Sequence, residues 1–160
     1  MAIPTTAFLR GYLLAWLIFS LAATALQCSL ERAGLVHSMM MWSTNSILSG
    51  SFQIGAGIYQ LSPLKNTCWK HCRSTADYLS RHWRKEHLGA VHMGLGHGLY
   101  CIGCCWFLMA LLFVAGIMNL VWIAGLAILV LTEKLAPFGY WIDPASGLLM
   151  IAAGGYLLLA

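Results

Sequence analysis

The stretch Gly94-Leu95-Gly96-His97-Gly98-Leu99-Tyr100-Cys101-Ile102-Gly103-Cys104-Cys105-Trp106-Phe107-Leu108-Met109 opens an apolar run that continues almost unbroken to Leu135. As one helix that run would be about 60 Å long at 1.5 Å per residue, twice the hydrocarbon thickness of a bilayer. It must fold back, and Gly116-Ile117-Met118-Asn119 is the glycine–asparagine cluster near its middle. The pattern therefore predicts two spans, 94–115 and 119–135, the second closed by Glu133-Lys134.

The rest of the chain agrees. Its 160 residues are 60% hydrophobic and 9% charged, with a mean hydropathy of +0.76. A soluble domain carries about 25% charged residues. The expected fold is an all-α integral membrane protein, a single membrane domain over 1–160 with five transmembrane helices. The first is 8–28, interrupted by Arg10. Arg10, the apolar stretch and Ala23-Thr24-Ala25 also have the form of a cleavable signal segment ending near residue 25. Gln27, Cys28 and Leu30 carry the apolar run past that point, which favours a retained helix. The second span, 46–61, contains Gly50, Gln53, Gly55 and Gly57, as suits a helix packed on other helices. The fifth, 145–160, follows Asp143 as N-cap and Pro144 as first helical residue.

Orientation comes from lysine and arginine. The connection 62–92 holds Lys65, Lys70, Arg73, Arg81, Arg84 and Lys85. Placing it in the cytoplasm puts Arg10 and Lys134 there too and leaves Arg32 outside. The expectation is a bacterial inner-membrane protein with a cytoplasmic N-terminus and an external C-terminus. The connection is amphipathic. Pro63 can start a helix on which Leu64, Cys68 and Cys72 share a face, and Tyr78 and Trp83 among the basic residues suit a headgroup-level segment. Its partner is the lipid bilayer rather than a nucleic acid.

Chemistry concentrates in two places. On a helix His97, Cys101 and Cys104 fall at i, i+4 and i+7, with Cys105 at the edge of that stripe. In the basic connection stands Cys68-x2-His71-Cys72. A single cysteine there needs no explanation beyond packing, because the thiol behaves as a small hydrophobe, and Gly94, Gly96, Gly98 and Gly103 show that close packing is intended. Five cysteines with imidazole beside them need more, since polar groups in spans are costly and mark function. The candidate metal ligands are Cys68, Cys72, Cys101, Cys104, Cys105 and His97. Soft sulfur on a reducing side favours Cu(I) over Zn(II) or iron–sulfur. The lack of Cys-x-x-Cys-His disfavours covalent c-type haem; His92 or His97 leaves non-covalent haem open. His37 with Met39, Met40 and Met41 in the external loop reads as a methionine-rich helix boundary before it reads as a copper trap. His82 and His87 read as solvated.

No residues emerge as catalytic. Asp77, Glu86 and Asp143 show no paired acid–base arrangement, and no phosphate loop, nucleotide fingerprint or serine nucleophile motif occurs. Metal handling, meaning copper binding, delivery or assembly of a metal centre in a partner membrane protein or metal-requiring complex, is the leading function. One alternative is a membrane thiol–disulfide oxidoreductase using Cys101-x-x-Cys104 with Cys68 and Cys72. It lacks an outer-face pair, because Cys28 is alone. The other is a structural accessory subunit whose cysteines only pack.

Tyr59-Gln60-Leu61-Ser62-Pro63-Leu64-Lys65, Cys68, Cys72-Arg73, Gly98 to Trp106, Gly116-Ile117-Met118-Asn119 and Glu133-Lys134 form a series. From about Gly11 to the C-terminus it resembles an uncharacterised bacterial family of predicted metal-binding integral membrane proteins. The resemblance implies that Cys68, Cys72, Cys101, Cys104 and Cys105 are the matching cysteines. Members often carry a further N-terminal segment rich in methionine and proline, so it also implies a short form or a piece of a longer chain here. Either way, one helix face cannot surround a metal. The connection should fold back over Cys101 and Cys104 and bring Cys68 and Cys72 with it.

Overall fold

The computed structural model describes residues 2–35, 45–82, 86–112 and 118–160. These form seven α-helices and no strand: α1 Ala2–Arg32, α2 Ser46–Leu61, α3 Pro63–Arg73, α4 Thr75–His82, α5 His87–Ala110, α6 Leu120–Leu135 and α7 Gly139–Leu159. Three are long and apolar enough to cross a membrane: α1 over Thr5–Arg32, α5 and α7. The helices at the second and fourth expected spans, α2 and α6, have 16 residues each, about 24 Å at 1.5 Å per residue, shorter than a hydrocarbon core of about 30 Å.

The helix ends follow from local chemistry. Gly34, with φ of 73°, closes α1: Gly34 N–H donates to Glu31 O and Leu35 N–H to Leu30 O, the paired bonds of a left-handed glycine cap. The helix passes through Ala23-Thr24-Ala25 without a break. Asn45 caps α2 and Asn119 caps α6, each side chain accepting a backbone N–H. Ser62 and Ala136 both precede proline and are extended, with ψ of 141° and 134°, so α2 and α6 stop there. Ser62 Oγ accepts from Leu64 N and starts α3.

Two expected helix starts shift. α5 begins at His87 rather than Gly94, because hydropathy marks the apolar part of a helix and not its polar first turns. α7 begins at Gly139, so Asp143 and Pro144 lie inside it rather than at its start. The connection holds two helices with Ser74 between α3 and α4, and the face shared by Leu64, Cys68 and Cys72 is not uniform, Leu64 being exposed while Cys72 is buried. The turn predicted at 116–119 lies partly outside the described residues, as do His37 and Met39 to Met41.

The chain forms two compact units. The first comprises 1–23 and 66–104, the second 24–65 and 105–160. In the first, small residues let α1 and α5 approach closely. Ala7, Gly11 and Ala15 on α1 are buried, as are Ala90, Gly94 and Gly98 on α5. A Cβ on Gly94 would collide with the Phe8 carbonyl, one on Gly11 with the Val91 carbonyl, and one on Gly98 would lie 2.8 Å from Ala15 Cβ. Small residues at a crossing allow this close backbone approach, as they do between membrane helices. In the second unit α2 and α7 cross antiparallel by the same means. A Cβ on Gly57 would lie 2.6 Å from Gly147 O, and one on Gly154 would lie 2.9 Å from Gly50 O. Beside them Ala56, Leu108, Leu111, Leu126 and Met150 form a hydrophobic core.

Candidate metal centre

The soft donors of the first unit lie along the buried stripe of α5. Ala90, Met93, Gly94, His97, Gly98, Cys101 and Cys104 are buried, at spacings of three and four that keep one helix face inward. His97 and Cys101 are 5% and 3% exposed. From the start of α5, Cys101 lies about 21 Å along the axis at 1.5 Å per residue. The cysteines are thus in the body of the helix and not at its mouth.

α3 and α4 fold back onto this helix. A Cβ on Gly103, between Cys101 and Cys104, would lie 3.1 Å from Cys68 Sγ. The His71 ring stacks on Tyr100, with centroids 4.7 Å apart and planes at 12°. Tyr78 meets His97 at 5.4 Å between ring centroids, and Thr75 Oγ1 shares a 3.3 Å hydrogen bond with His97 Nε2. On its other side His97 meets Phe8 and Tyr12 of α1, at 5.9 and 6.1 Å between centroids. Tyr12 Oη shares a 3.5 Å hydrogen bond with Cys101 Sγ, and Cys104 Sγ donates to Cys101 O at 3.1 Å. Burial, with Tyr100 beside it, pushes the Tyr78 phenol above the ordinary tyrosine range, so it stays neutral.

Cys68 therefore lies against α5 at Gly103, on a different turn face from Cys101, and Cys72 is buried on the same helix as Cys68. Convergence stops short of a closed shell. Among the described residues no three His, Cys, Asp or Glu side chains gather closely enough to hold one ion. All six cysteines are thiols. Cys105 is 2% exposed and belongs to the second unit, and Cys28 is exposed on α1. Two neighbours of the donors, Tyr12 and Thr75, carried no signal in the sequence, since their placement depends on packing between distant segments.

A second polar cluster also escaped the sequence. In the second unit Lys65 Nζ donates to Glu133 Oε2 at 2.9 Å and to Asp143 Oδ1 at 3.2 Å. Gln60 Nε2 donates to Glu133 Oε1 and, at 2.8 Å, to Ser146 Oγ. Lys65 is 1% exposed and both carboxylates are buried. This corrects one expectation, since Lys65 is no surface cation; Asp143, expected as an N-cap, shares that lysine with Glu133. The available signal was the presence of two acids in otherwise apolar helices.

Thiols and an imidazole aligned on one buried face, with a cysteine-bearing helix packed elsewhere on the same α5, define an all-helical protein rich in soft donor atoms. The chain belongs to the PpoB2 copper chaperone family, whose model matches residues 1–157. That family supplies the copper link expected from the donor set. No curated protein and no solved structure matches the chain.

Proposed function

We propose that the protein is a membrane-embedded copper chaperone that takes Cu(I) as cargo on Cys68, Cys72, Cys101 and Cys104 and passes it to a metal-requiring membrane protein or complex. The observation that carries this reading is the approach of Cys68 Sγ to α5 at Gly103, one residue before Cys104. Thiolate selects Cu(I) among the first-row ions, and the family is named for copper. His97, held by Thr75 and three aromatic rings, is a ligand or an orienting donor. Donors spread along a face suit cargo that must leave as well as enter. Cys105 is not part of this set.

The excess of basic residues between α2 and α5 favours a cytoplasmic position for α3 and α4 in a bacterial inner membrane, where thiols stay reduced. Elemental analysis of the protein purified anaerobically without chelator tests the reading. Copper should accompany the native chain and fall at least tenfold in Cys101→Ser/Cys104→Ser, by the scale of lost metal ligation. Copper near zero in the native protein, after Cu(I) loading, overturns it.

A further inference from the structure

Beside the soft donors, the first unit has a surface depression of about 260 Å³ where α3 meets α4, lined by Lys70, His71, Ser74, Asp77, Tyr78 and Arg81. Two permanent cations face it against one carboxylate. Asp77 Oδ1 accepts from Arg81 Nε at 3.1 Å, which holds the guanidinium in place and leaves its terminal nitrogens as donors. His71 Nδ1 donates to Thr67 O at 2.8 Å, and its ring is fixed by stacking on Tyr100. Ser74, between the two helices, adds a hydroxyl. The Lys70 ammonium, the terminal nitrogens of Arg81 and the Ser74 hydroxyl, with a net positive charge, fit an anion that has several acceptor oxygens.

We propose that this depression binds a phosphate ester. Its chain position, between α2 and the apolar helix α5, points to the headgroup of an anionic phospholipid, which basic surfaces beside membrane helices attract. A free phosphate presents the same oxygens. The lipid assignment rests on the membrane reading above, whereas the anion site itself does not depend on copper.

Native mass spectrometry of the full-length protein in detergent tests it, with phosphatidylglycerol, phosphatidylcholine and inorganic phosphate as separate probes. Phosphatidylglycerol should bind about tenfold more tightly than phosphatidylcholine, and Lys70→Ala with Arg81→Ala should remove that preference, by the attraction of each surface cation for anionic lipid. Lys70→Ala alone should weaken binding without touching the Asp77–Arg81 pair. Arg73→Ala is the control: it removes one charge from α3, but Arg73 lies over the Trp69 ring at 5.0 Å and outside the depression. Displacement of the lipid by inorganic phosphate assigns the site to the free anion, and its retention assigns it to the headgroup. Equal binding of the two lipids without any phosphate binding overturns the proposal, as does an Arg73→Ala loss equal to that of Lys70→Ala. Copper content measured on the same samples keeps failure of this site distinct from failure of the metal reading.

Discussion

At Gly94 a single hydrogen atom decides the packing, because any β-carbon there would run into the Phe8 carbonyl of α1. A backbone cannot yield as a flexible side chain can. Gly94→Ala should lower stability by about 1–3 kcal/mol, the usual range for overpacking. Gly125 on α6 meets nothing within 4 Å of its would-be Cβ. There alanine should stabilise by about 0.5–1 kcal/mol through helix propensity alone. Thermal unfolding in detergent micelles separates the two, and a Gly94→Ala protein as stable as the native one would refute the close crossing. Tyr12 is the other residue that matters at this scale. Its hydroxyl meets Cys101 Sγ, so Tyr12→Phe should weaken Cu(I) retention about tenfold, as loss of an outer hydrogen-bond partner does, in a titration against a Cu(I) chelator. Retention equal to the native protein would remove Tyr12 from the site. The stripe of His97, Cys101 and Cys104 was legible beforehand because a helical period needs only one segment. The hydroxyls around it were not, because Tyr12 stands 89 residues from Cys101.

Among the elements, the α2–α3 junction is fixed by Lys65. Pre-proline Ser62 ends one helix and caps the next, and three residues on, Lys65 enters the second unit between Glu133 and Asp143. The partners lie 68 and 78 residues away, which is why no local pattern announced them. Lys65→Met leaves two buried carboxylates without their cation and should cost about 3–5 kcal/mol, the penalty for breaking a buried pair from one side. Adding Glu133→Gln and Asp143→Asn should restore part of that loss, since it removes the stranded charges. Unfolding in micelles reads both, and a Lys65→Met protein of native stability would show that the cluster holds nothing together. The same elements show what patterning could deliver. Ser46–Leu61 coincides with its expected span because a capping asparagine and a pre-proline serine bracket it. The first turns of α5 and α7 were missed because polar and aromatic residues there hide a helix that has already begun.

For the whole molecule, composition made the helical, lipid-compatible class readable, and three helices have the length and hydropathy to cross a bilayer. On α1 Leu9, Leu13, Leu17 and Leu21 are each more than half exposed, as lipid-facing residues are. The division into two units was not readable, since α1, α3 and α5 each contribute to both. The proposed orientation places Cys28, near the end of α1, on the outer side. A membrane-impermeant maleimide applied to intact cells with a permeable outer membrane should modify Cys28 and spare Cys72, Cys101 and Cys104, which are buried. Labelling of Cys28 only after the cells are opened would invert the topology.

The crossing of α1 and α5 has a consequence for how this sequence can vary. The helix face that carries His97, Cys101 and Cys104 is the same face that must stay small for two backbones to meet. Residues there answer to two demands, bulk and chemistry, and few amino acids satisfy both. In a saturation library over 90–104, tolerance should rise and fall with the turn of the helix. At Gly94 and Gly98 abundance alone should set the limit. At Cys101 and Cys104 serine and alanine should preserve abundance and lose copper, so the two demands separate residue by residue.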